Sequence, residues 1–80
     1  MRLLLIEDDT ELIDQIKPQL QKAGFAVEVA LTGVDGEFLA KEESFDGIIL
    51  DLGLPKRPGL EVLSNLRVAE VDTPIVILTA

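Results

Sequence analysis

Cysteine and histidine are both absent from the 80 residues. The first absence excludes disulfides, thiol catalysis and thiolate metal sites. The two together make zinc or copper a poor fit to any ligand cluster the chain can build. Basic residues are scarce as well, with seven Lys and Arg against fifteen Asp and Glu and a formal charge of −8. Nucleic-acid binders of this size carry a basic stripe, so this segment is not expected to grip a phosphate backbone itself, whatever a DNA-binding domain joined to it does. Long apolar runs are missing too. None spans a bilayer, and Arg2, four apolar residues and Glu7-Asp8-Asp9 are too short and too acidic for a secretory signal. The expectation is a cytoplasmic protein with no membrane partner.

What is present is an ordinary globular composition, 48% hydrophobic. Eighty residues make one small domain, which buries roughly 60–65% of the surface of its extended chain. Leu3 to Ile6, Ile48-Ile49-Leu50 and Ile75 to Leu78 are continuous apolar runs, the pattern of strands buried on both faces. Phe25 to Leu31 alternates instead, with Phe25, Val27 and Val29 on one side, and reads as a strand nearer the sheet edge.

Between the strands lie three helical stretches. Asp8, Asp9 and Thr10 offer caps for a helix to about Ala23, with Leu12, Ile16, Leu20 and Ala23 on one stripe and Ile13 beside it. Pro18 inside it predicts a kink, and Gly24 a left-handed stop. Thr32 and Asp35 have capping-box spacing, followed by Val34, Phe38 and Leu39 as a short buried face, while Gly36 costs up to about 1 kcal/mol in propensity. Phe45 returns to the core. Leu60, Leu63 and Leu66, with Val62 near them, give the third helix its apolar side, and Asp72-Thr73-Pro74 breaks the chain before the last strand. The result is β-α-β-α-β-α-β, an α/β doubly wound parallel sheet. Its last strand has no helix behind it, which predicts further residues beyond Ala80 or, failing that, an edge prone to pair with other molecules.

In such sheets chemistry collects outside the carboxyl ends of the strands. Glu7 and Asp8 follow the first strand, Asp51 ends the third and Thr79 the fourth. Each alone has a plain reading as a cap or strand-end residue, and Asp9 is expected to be only a cap. Together they form a constellation. If strands one and three are neighbours, three carboxylates share one site, and a divalent cation relieves their repulsion. Magnesium suits carboxylates, a backbone carbonyl and water. A carboxylate can also attack phosphorus to give an acyl phosphate, with Thr79 donating to a phosphoryl oxygen. Lys56 and Arg57, in the loop beside the site, read as solvated charge, with a lesser role in contacting a phosphodonor.

Three motifs in order resemble the receiver domain of bacterial two-component response regulators. They are Met1-Arg2-Leu3-Leu4-Leu5-Ile6-Glu7-Asp8-Asp9, then Asp51-Leu52-Gly53-Leu54-Pro55 with Gly59-Leu60-Glu61-Val62-Leu63, then Pro74-Ile75-Val76-Ile77-Leu78-Thr79-Ala80. The likeness is greatest to the subfamily whose receiver precedes a winged-helix DNA-binding output domain. The resemblance implies a flavodoxin-like sheet in the order 2-1-3-4-5, of which residues 1–80 hold the first four strands as the N-terminal part of a receiver. It implies that Asp51 is the phosphoacceptor. Asp8 would be a direct Mg2+ ligand, Glu7 a more water-mediated one, and the Gly53 carbonyl the backbone ligand. Thr79 would be the switch hydroxyl, and Ala80 would supply an N–H to the phosphoryl group. The implied partners are a sensor histidine kinase, a second copy of the intact phosphorylated receiver, and DNA through an output domain outside this chain.

Two departures from the family pattern stand out. Pro58-Gly59 replaces the usual Asp-Gly, removing a side-chain cap at a cost of about 1 kcal/mol that proline's preset φ partly offsets. The family's lysine after the fifth strand, its switch aromatic and its dimer face would all follow Ala80. Two other functions compete with signal reception. A Mg2+-dependent phosphohydrolase would want a second acid two residues after Asp51, where Gly53 stands; a phosphorylation-incompetent fragment or interaction module would keep the fold without the transfer. In the leading reading the domain takes part in its own phosphotransfer and dephosphorylation without being a conventional enzyme.

Overall fold

The computed structural model describes residues 1–78. Thr79 and Ala80, assigned above to the switch, lie outside the described residues. The elements are β1 (Arg2–Ile6), α1 (Thr10–Lys22), β2 (Ala26–Ala30), α2 (Gly33–Glu42), β3 (Gly47–Asp51), α3 (Gly59–Val68) and β4 (Ile75–Leu78). All four strands are parallel, in the order β2-β1-β3-β4, as the alternation of strands and helices predicts. β1 and β3 are central, which is why their sequences are continuous rather than alternating.

The main core lies on the side of the sheet covered by α2 and α3. Leu4 and Ile6 of β1 and Ile48 and Leu50 of β3 pack there with Ala40, Val62 and Leu66. Leu5, on the opposite pleat, and Ile13 of α1 are buried outside that cluster. Phe45 does return to the core, and the Arg2 guanidinium lies 4.6 Å from its ring centroid.

The predicted caps hold. Asp9 Oδ1 accepts the N–H groups of Glu11 and Leu12, and Thr32 Oγ1 accepts that of Asp35. Pro18 sits inside a helix that continues to Lys22, and Gly24 takes φ +100° just after it. α3 ends the same way without glycine: Glu70 takes φ +62°, and Val71 donates back to the Leu66 carbonyl. The helix start at Pro58 has no side-chain cap, as its sequence requires.

Three helix faces differ from expectation. In α1 the most buried residue is Ile13, with Leu12, Ile16 and Leu20 only half-buried. In α3 Leu60 is 64% exposed, and the i, i+4 pair Val62 and Leu66 fills the core. In α2 Val34 and Phe38 are 54% and 62% exposed, while Gly33, Gly36, Glu37 and Ala40 are buried. The cause is close approach. A Cβ on Gly36 would lie 2.6 Å from Ile6 Cδ1 and under 3 Å from its Cγ1 and Cγ2, and one on Gly33 would meet Val62 Cγ2 at 2.8 Å. α2 buries its smallest residues because only they let it sit this near β1 and α3.

Gly36→Ala tests this against helix propensity. Propensity alone favours alanine by about 1 kcal/mol. The added methyl must displace a fully buried, β-branched Ile6, and overpacking of this kind costs about 1–3 kcal/mol. Urea unfolding should show net destabilisation, partly relieved by Ile6→Val in the same chain; a stabilised Gly36→Ala chain would place the contact elsewhere.

Candidate functional site

Register sets the site. Ile6 pairs with Leu50 in the parallel β1–β3 ladder, so the next residues, Glu7 just past β1 and Asp51 at the end of β3, lie side by side. The Glu7 N–H donates to the Ala30 carbonyl at 3.0 Å, continuing the ladder to β2 one residue past the strand. Carboxylate oxygens of Glu7, Asp8 and Asp51 all lie within 4.8 Å of one another. They line a cleft of about 360 Å³ that also carries Gly53, with Leu12 and Leu78 among its walls. The Gly53 N–H donates to Asp51 Oδ1 at 3.0 Å. The predicted residues Glu7, Asp8, Asp51 and Gly53 are thus brought together at the carboxyl ends of β1 and β3. Asp9 also lines the cleft but stays outside the carboxylate cluster, its side chain taking the expected capping role on α1.

Glu7 is the unusual group, only 3% exposed at the floor of the cleft. Burial pushes its pKa up from the ordinary value of 4.5, and the charge of Asp51 and shared hydrogen bonding with Asp51 and Asp8 act in the same direction. The Asp9 N–H, donating to Glu7 Oε2 at 3.0 Å, opposes the rise. A hard divalent cation fits this donor set, which is all oxygen and crowded with like charge.

The loop from β3 to α3 is held by close packing. A Cβ on Gly59 would collide with the Asp51 carbonyl oxygen and lie 2.7 Å from Leu52 Cα, so glycine is required where the loop returns beneath Asp51. The Gly59 N–H donates to the Leu52 carbonyl. Leu54 is buried in the core, and Lys56 takes φ +66°. Arg57 is not the freely solvated charge expected from sequence. Its Nη1 donates to Glu37 Oε2 of α2 at 2.7 Å, and Asn65 Nδ2 of α3 donates to Glu37 Oε1 at 2.8 Å. Glu37 and Asn65 were missed because their partners lie 20 and 28 residues away, beyond any local pattern.

Comparison with known proteins agrees with this geometry. The profile of the response regulator receiver domain matches residues 3–80. The chain belongs to that family. It is 46% identical over 79 residues to the cell cycle transcriptional regulator CtrA of Caulobacter vibrioides, covering 99% of this chain and 34% of that protein. It is 45% identical over 80 residues to the response regulator protein PmrA of Pseudomonas aeruginosa, covering all of this chain and 36% of that protein. The chain therefore spans about a third of the length of these relatives. Among solved structures, the receiver domain of the sensor histidine kinase PA1611 from Pseudomonas aeruginosa superposes with a TM-score of 0.94 at 28% identity. The match covers 99% of this chain and 66% of that one, which was solved with a magnesium ion coordinated in its active-site cleft. The receiver's sheet order, flavodoxin-like fold and acidic strand ends are all present in the described residues.

The Glu7 geometry makes a pH prediction for the metal-free chain. The folded state keeps the Glu7 proton to higher pH than the unfolded chain does, so folding binds a proton in the window above 4.5. Stability is therefore lost as pH rises through that window, and the loss persists at neutral pH. Glu7→Gln should flatten this dependence and raise the melting temperature at pH 7 in EDTA, read by circular dichroism. A lower melting temperature with the slope retained would assign the strain to another group.

Proposed function

We propose that this domain receives a phosphoryl group on Asp51 from the phosphohistidine of a sensor histidine kinase. The observation that carries the reading is the convergence of Glu7, Asp8 and Asp51 in one cleft at the ends of two central strands. An Asp51 carboxylate oxygen forms the new bond to phosphorus while the P–N bond of the donor breaks. The imidazole leaves with the electron pair and keeps or takes up a proton. Water later cleaves the acyl phosphate and resets the domain.

Residues 1–80 stand as the N-terminal part of the receiver. Asp8, Asp51 and the Gly53 carbonyl would hold Mg2+ directly, with Glu7 acting through water. Bound there, Mg2+ would offset the carboxylate charge and the charge of the equatorial phosphoryl oxygens. The Gly53 N–H, already on Asp51 Oδ1, orients the acceptor. Thr79 and Ala80 would supply a hydroxyl and an N–H to the phosphoryl group, by their place in the family motif. In the whole protein, phosphorylation would favour a receiver homodimer and release a winged-helix output domain onto DNA in transcription regulation. The cytoplasm is the setting such signalling requires. A phosphohydrolase is the weaker reading, since Gly53 occupies the position where a leaving-group acid would stand.

Intact mass before and after acetyl phosphate with Mg2+ tests the proposal. One phosphoryl group should appear and map to Asp51, and Asp51→Asn should abolish it with the circular dichroism spectrum unchanged. Labelling of Asp51→Asn at the same stoichiometry would move the acceptor elsewhere. A folded, Mg2+-binding chain that never gains the group would mean that the pocket is retained without the transfer.

A further inference from the structure

We propose that Glu37 is a positioning residue for the acidic cleft, acting through Arg57 on the β3–α3 loop; the proposal rests on the reading of Asp51 and Gly53 as acceptor and metal ligand. Glu37 is 5% exposed, on a helix that contributes no ligand to the cleft. A carboxylate on the buried side of a helix is costly unless its oxygens are engaged. Both oxygens of Glu37 are engaged, one by the Arg57 guanidinium at the end of the loop and the other by Asn65 on the helix the loop leads into. One side chain therefore ties α2 to both the loop and α3.

The loop needs such a tie. Lys56 takes a left-handed conformation that a non-glycine residue keeps only when its neighbours enforce it. Pro58, at the start of α3, offers no side-chain cap. The loop begins at the acceptor, and Gly53 spends its N–H on Asp51 Oδ1, so a shift of the loop moves the backbone that orients the carboxylate. Arg57 also packs directly on α2, where a Cβ on Gly33 would meet the Arg57 Cβ and carbonyl oxygen at 3.2 Å. The Arg57 N–H donates to the Pro55 carbonyl at 2.7 Å, so a displacement of Arg57 is passed two residues back toward Gly53.

The test is Mg2+ affinity by calorimetry in the unmodified chain, Glu37→Gln, Arg57→Gln and the double variant, with Asp51→Asn as control. Amide exchange at Gly53 is followed in parallel, at a temperature where circular dichroism shows each chain folded. Each single variant should weaken Mg2+ binding by about tenfold, the low end for loss of a group that orients a ligand. The double variant should be no weaker than either single one, because the two residues act as a pair. Exchange at Gly53 should quicken in all three, and Arg57→Lys should restore part of the affinity. Unchanged affinity and exchange in folded Glu37→Gln would overturn the proposal and leave Glu37 a purely structural residue; additive losses in the double variant would overturn the route through Arg57. If Glu37→Gln does not fold, Arg57→Gln, at the half-buried end of the pair, carries the same outcomes. Undiminished Mg2+ affinity in Asp51→Asn would instead remove the reading of the cleft itself, a failure distinguishable from loss of the Glu37 effect alone.

Discussion

Parallel pairing of β1 with β3 is the constraint on which the site depends. It brings the ends of two strands, distant in sequence, to the same height, with acidic residues at both ends: Glu7 and Asp8 just after β1, and Asp51 closing β3. A one-residue slip of either strand would turn its own core pair, Leu4 and Ile6 or Ile48 and Leu50, to the other face. The packing that stabilises the sheet thus fixes the separation of Glu7 and Asp51. Stability and site geometry cannot be tuned independently here. The burial that makes Glu7 a well-placed acid also makes its charge unfavourable in the metal-free chain.

α2 supports this arrangement from behind the sheet. Its buried side is built of Gly33, Gly36 and Ala40, so Ile6 enters where a side chain would otherwise stand. The short distance is what lets Glu37 reach both Arg57 and Asn65. A larger residue at 33 or 36 would push the helix outward and lengthen those contacts. Its exposed side carries Val34 and Phe38, the residues a hydrophobicity pattern would have buried.

Strands and caps were legible in the sequence because their causes are local. Continuous apolar runs mark β1 and β3, since residues covered on both faces have no polar side to show; the same pattern located β4 but not its burial, because β4 is an edge of the described sheet and leaves Val76 62% exposed. Asp9, Thr32 and Gly24 act on backbone groups a few residues away, and each performs the role its position predicts. The acidic constellation was legible for a related reason, because strand ends in a parallel sheet share one edge whatever the loops do. Helix faces were less legible. α2 is placed by close approach, which seats Gly33, Gly36 and Ala40 inward by their size, while Glu37 beside them is held by partners distant in sequence. Glu70 in a left-handed conformation had no glycine to announce it.

The departure at Pro58 acquires a physical context from Glu37. The start of α3 lacks a side-chain acceptor for its free N–H groups, and proline supplies only a favourable φ of −57°. One residue earlier Arg57 is fastened to α2, and two turns later Asn65 is fastened to the same carboxylate. The helix is therefore held from its flank instead of being capped at its end. That exchange has a consequence for charge. Glu37 carries its charge on α2, paired with a guanidinium and outside the residues that line the cleft. Fixing the loop through a paired, buried carboxylate leaves the acidity of the cleft to the residues that use it.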